Sequence, residues 1–125
     1  MPRTKSPVLA DSELRLMEVL WRIGPATVAE VAAALPADVP LAYSSVLTTL
    51  RILETKGYLR HSKDSRAFIY EPVVGRDKVR ENAVTHLLRR FFENSPEQLV
   101  LNLLDGRKIG ARELARLRKR IGEAK

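Results

Sequence analysis

Between residues 44 and 55, Ser44, Thr48, Arg51 and Thr55 recur at helical spacing, with Ser45 beside them. At 3.6 residues per turn they share one face, and Val46, Leu50 and Leu53 share the opposite one. A solvent-facing helix surface ordinarily carries Glu and Lys, so short hydroxyls around one guanidinium suggest a different task. Hydroxyls bond phosphate oxygens or base edges while letting a backbone come close to a duplex. A guanidinium can bind a phosphate, or take guanine O6 and N7 together. The chemistry on offer is recognition of a polyanion, with Ser44, Ser45, Thr48 and Arg51 as the contacts on the helix. Lys63 and Arg66, in a polar turn further on, supply cations for flanking phosphates.

Bond-making chemistry finds no comparable set. The two histidines, His61 and His86, have no sequence partners that complete a triad or a metal-ligand set. No HExxH, glycine-rich phosphate loop or GxSxG occurs. With no cysteine in the chain, disulfides, thiolate zinc sites, iron–sulfur clusters and cysteine nucleophiles are all excluded. The sequence therefore reads as a non-enzyme with no metal and no cofactor. A formal charge of +7 over 125 residues favours a polyanionic partner, nucleic acid before an acidic membrane. Residues 1–74 hold nine Lys/Arg against eight Asp/Glu, and residues 75–125 hold thirteen against seven, so the excess lies mainly in the second part.

The elements that would position these residues follow from the hydropathy pattern. Asp11 or Ser12 can cap a first helix to about Ile23, with Leu14, Leu16, Met17, Leu20 and Trp21 opposite Arg15, Glu18 and Arg22. Thr27 and Glu30 have the spacing of a capping box for a short second helix ended by Pro36. A third helix runs from about Ala42 to Lys56 and closes on Gly57. The period then drops to two over Tyr58–Glu71, interrupted by Lys63-Asp64-Ser65-Arg66, which marks a β-hairpin. Three helices and a two-stranded ribbon give a winged helix-turn-helix, whose third helix is free to enter a major groove. Leu47 and Ile52 border its polar face and are expected to pack on neighbouring helices.

From residue 76 the helical period resumes. Val79, Ala83, Leu87 and Phe91 fall on one line, with Val84, Leu88 and Phe92 beside it. Ser95-Pro96-Glu97-Gln98 opens a second helix rich in leucine, and Gly110 to Ile121 forms a third with Leu114, Leu117 and Ile121 facing one way. Short helices with more apolar surface than they can hide from one another imply self-association, most simply as a two-fold dimer. The fold class is thus mainly α with a small β-hairpin. Residues 1–74 form a winged-helix DNA-binding domain and residues 75–125 a three-helix dimerisation region. The dimer contact is expected at Val84, Leu87, Leu88, Phe91, Leu101, Leu104 and Leu117. The basic residues of the last helix serve either as a solvated face or as a source of positive field that speeds arrival on DNA.

In order and spacing, several segments together resemble the penicillinase-repressor family, the BlaI and MecI type of bacterial winged-helix regulators. They are Asp11-Ser12-Glu13-Leu14 through Val19-Leu20-Trp21, Thr27-Val28-Ala29-Glu30-Val31, Ala42 to Leu50, Lys56-Gly57, Arg66 to Tyr70 and Leu99 to Leu104. The resemblance implies a homodimeric repressor that binds a palindromic operator in double-stranded DNA. For the β-lactam-responsive members it implies a sensor protease as partner and cleavage at an Asn-Phe bond in a dimerisation helix. The matching bond here is Asn102-Leu103, which keeps the asparagine and not the phenylalanine. A copper-responsive branch uses a pair of cysteines, which this chain lacks.

Two other readings stay open, a winged-helix module for protein contacts and a repressor that senses a small molecule. There is no apolar run of spanning length, and Met1-Pro2-Arg3-Thr4-Lys5 leads directly to a helix rather than forming a signal peptide. The expectation is a cytoplasmic protein with no membrane partner.

Overall fold

Helix α1 (Asp11–Ile23) begins one residue earlier than its polar residues suggest. Its N-cap is Ala10, and neither Asp11 nor Ser12 fills that position. Instead Glu13, in the third helical position, turns back so that its Oε1 accepts the Ala10 N–H at 2.7 Å. That satisfies one of the donors a helix start leaves open, without a hydroxyl cap. The computed structural model describes residues 8–38 and 41–124; the Met1–Lys5 segment lies outside them. Leu16, Met17, Val19 and Leu20 are buried, so α1's inward stripe includes Val19, which the periodicity alone left out.

Helix α2 (Val28–Ala34) starts at the expected capping box: Thr27 Oγ1 accepts the Glu30 N–H at 3.1 Å, and Glu30 Oε1 accepts the Thr27 N–H at 2.9 Å. Helix α3 (Tyr43–Thr55) has Ala42 and Lys56 as its caps and buries Val46, Leu50 and Leu53 completely. After it Gly57 takes φ +89°, a conformation that side chains with a Cβ rarely adopt.

Strands β1 (Leu59–Asp64) and β2 (Ala67–Pro72) pair antiparallel, with His61 opposite Tyr70 and Asp64 opposite Ala67. The turn is only Ser65-Arg66, so Lys63 belongs to the strand rather than the turn. Tyr70 fixes the hairpin to the helices. It exchanges two backbone bonds with Ala26, at 2.8 and 3.0 Å, and its ring lies in the core at 1% exposure. Helix, helix, helix and hairpin around one apolar core make a winged helix-turn-helix.

Helices α4 (Arg76–Phe91), α5 (Pro96–Asp105) and α6 (Ala111–Glu123) follow. The chain divides into two compact units within α4, the first ending at Val84 and the second starting at Thr85. Val79, early in α4, packs on the amino-terminal core. The α5 start uses half of its expected box: Ser95 Oγ accepts the Gln98 N–H at 3.1 Å, and the Ser95 N–H bonds the Phe92 carbonyl instead of the Gln98 side chain. No residue of α4, α5 or α6 is buried, and Val84, Leu87, Phe91, Val100, Leu101, Leu117 and Ile121 are substantially exposed.

Candidate nucleic-acid interface

The polar face of α3 is open. Ser44, Ser45, Thr48 and Arg51 are all exposed, and Ser44, Ser45, Thr48 and Thr49 line a shallow depression. The hydroxyls divide into two kinds. Thr49 Oγ1 donates back to the Ser45 carbonyl at 2.9 Å, and Thr55 Oγ1 to the Arg51 carbonyl at 3.0 Å, so both are spent inside the helix. Those of Ser44, Ser45 and Thr48 make no hydrogen bond among the described residues and are free to meet a ligand. Leu47 packs on the core as expected. Ile52 does not; it is 42% exposed because its position on the helix points past the core.

Arg51 is exposed but not isolated: its guanidinium acts electrostatically on the Tyr70 hydroxyl. Burial pushes that hydroxyl above the usual tyrosine range, the Glu54 carboxylate adds to the rise, and Arg51 opposes it. Sequence spacing could not reveal this link, because the partner lies on the second strand.

Two ties hold α3 in place. At its carboxyl end, Lys56 Nζ donates to Glu13 Oε1 at 2.8 Å, and the Glu13 side chain is only 7% exposed. Two residues earlier, Glu54 meets His61 of β1: Nδ1 lies 2.6 and 2.8 Å from the two carboxylate oxygens. Beyond His61 the tip is bare, with Ser62, Lys63, Asp64, Ser65 and Arg66 all exposed. The hairpin thus carries Lys63 and Arg66 at an exposed tip. Among the described residues no group of His, Cys, Asp or Glu could hold a metal ion, and no helix is long and apolar enough to cross a membrane.

A family profile described as penicillinase repressor matches residues 9–123. The chain belongs to the penicillinase repressor family. It is 29% identical over 121 residues to the penicillinase repressor of Bacillus licheniformis, covering 97% of this chain and 94% of that one. To the transcriptional regulator BlaI of Mycobacterium tuberculosis it is 35% identical over 116 residues, covering 92% and 83%. The solved DNA-binding domain of the repressor BlaI superimposes with a TM-score of 0.52 at 30% identity, covering 61% of this chain and 93% of that domain. These relatives are bacterial repressors and regulators, and the family is one of transcriptional repressors rather than enzymes.

Proposed function

We propose that this penicillinase-repressor-family protein represses transcription in the cytoplasm by binding an inverted-repeat operator as a homodimer. Residues 1–74 bind the DNA. Helix α3 enters the major groove with Ser44, Ser45, Thr48 and Arg51 toward the bases and phosphates, and Lys63 and Arg66 reach the flanking backbone. The observation that carries this reading is the free hydroxyl row of Ser44, Ser45 and Thr48 on a face whose reverse side is locked into the core. A helix that served a protein partner would more naturally present apolar anchors there.

Residues 75–125 supply the dimer. Helices that bury none of their own residues, yet expose Val84, Leu87, Phe91, Leu101 and Leu117, need a second surface to cover them. Leu88 and Leu104, half-buried, flank that surface. Two-fold symmetry then sets half-site centres about 10 to 10.5 base pairs apart, or a multiple of that. Asn102 and Leu103 lie within α5, so a cut between them by a sensor protease would break a dimerisation helix and end repression.

The test is equilibrium binding to a duplex selected by the parent protein from a random-sequence pool. Thr48→Ala and Arg51→Ala should each cost roughly 1 to 3 kcal/mol on that duplex and much less on a scrambled one. Unchanged affinity in both variants would refute the choice of face.

A further inference from the structure

Helix α3 carries one acidic residue, Glu54, three positions after Arg51 on the helix proposed to enter DNA. A bare carboxylate there would repel phosphates, and its persistence needs a reason. The structure supplies one in His61. Because a carboxylate only accepts, Nδ1 is the donor to both Glu54 oxygens, and it can be so whether the ring is neutral or charged. The ring itself is held from the other side. It lies tilted against Phe68, centroids 4.7 Å apart, and against Tyr70 at 5.6 Å.

We propose that His61 is a positioning residue for DNA binding: by fastening β1 to Glu54 it sets where the wing tip leaves the body and masks the only carboxylate of α3. His61 is the last side chain of β1 bonded to a helix, and beyond it Ser62 to Arg66 are exposed. Lys63 lies two residues on, on the same strand face, so the direction of the strand at His61 aims it. Without the tie the hairpin remains paired, and Tyr70 stays anchored to Ala26, but the tip swings about that anchor. Lys63 and Arg66 then spend less time at the phosphates while Glu54 stands uncovered. The tie is partly exposed, 38% at His61 and 32% at Glu54, so its loss should hardly alter stability.

The role rests on the interface proposed above, and the experiment separates the two. Binding of the full chain to the selected duplex is measured across a salt series for the parent, His61→Ala, His61→Asn, the double variant Lys63→Ala/Arg66→Ala, and the triple combination with His61→Ala. His61→Ala should lose about tenfold in affinity and reduce the slope of log K against log salt by up to about 1.8, two phosphate contacts at about 0.9 each. His61→Asn, whose amide nitrogen falls near the position of Nδ1, should recover most of the loss. In the His61→Ala background, removing Lys63 and Arg66 should cost far less than in the parent. Parent-like binding by His61→Ala, or equal losses in the Ala and Asn variants, overturns the positioning role while the interface stands. If the Lys63/Arg66 variant binds like the parent, the wing contacts themselves fall, and the role of His61 falls with them.

Discussion

Removing the Glu13 carboxylate should unlock α3 from below. Glu13 Oε1 serves two donors at once, the Ala10 N–H at 2.7 Å and Lys56 Nζ at 2.8 Å. Glu13→Ala therefore strips the start of α1 of its cap, worth about 1 kcal/mol, and leaves an ammonium with no partner. Breaking a buried ion pair costs about 3 to 5 kcal/mol. Here the Lys56 side chain keeps 15% of its exposure, enough for its head to turn toward water, so about 2 kcal/mol is the fitting share. The sum is about 3 kcal/mol, a large part of the roughly 5 to 15 kcal/mol that holds a small domain together. Urea denaturation followed by circular dichroism should show a lower midpoint at an unchanged slope. Glu13→Gln, which keeps the acceptor for Ala10 but loses the charge, should fall between parent and Ala. A loss below about 0.5 kcal/mol for Glu13→Ala, the size of an ordinary surface change, would refute the premise that this pair clamps α1 to the end of α3.

Leu101→Asp and Leu104→Asp should each produce monomers in sedimentation equilibrium and weaken binding to a two-half-site duplex more than to a single half-site; a variant that stays dimeric would relocate the contact. Tyr58 and Tyr70 both have hydroxyls pushed above the usual range by burial. The folded state therefore holds these protons more tightly than the unfolded chain, so their contribution is complete below about pH 10 and lost as pH rises above it. Denaturation midpoints measured between pH 8 and 11 should fall only at the alkaline end, and Tyr70→Phe should flatten that fall.

What could be read from the chain was what neighbours in sequence decide. The Val46-Leu50-Leu53 stripe, the Thr27–Glu30 capping box and the glycine after α3 each depend on residues within a turn or two, and each is in place. The winged-helix order followed from those elements. What escaped depends on where separate elements meet. Glu13 and Lys56 are 43 positions apart, and nothing in either segment marks them as partners. Glu13 also displaced the expected cap, because a carboxylate already positioned by Lys56 can reach back to Ala10, whereas Asp11 and Ser12 begin the helix instead of preceding it. Arg51 was visible as a cation on the right face, but not as a charge acting on the Tyr70 hydroxyl. His61 looked like a solitary histidine because Glu54, seven positions earlier, lies across the helix–strand junction.

These unseen ties share a location, and that has a physical reason. The free hydroxyls of Ser44, Ser45 and Thr48 each offer only a short reach, so their contacts depend on how accurately the helix is held. Apolar packing of Val46, Leu50 and Leu53 fixes depth, but a smooth apolar stripe resists sliding and rolling less well than directional bonds do. Two polar ties at positions 54 and 56 supply that restraint, to β1 and α1 in turn. Both fall at the carboxyl end of α3, away from the Ser44–Thr48 end, which stays bare. A helix tied at one end and open at the other can present small side chains to a groove without spending their hydroxyls on its own fold.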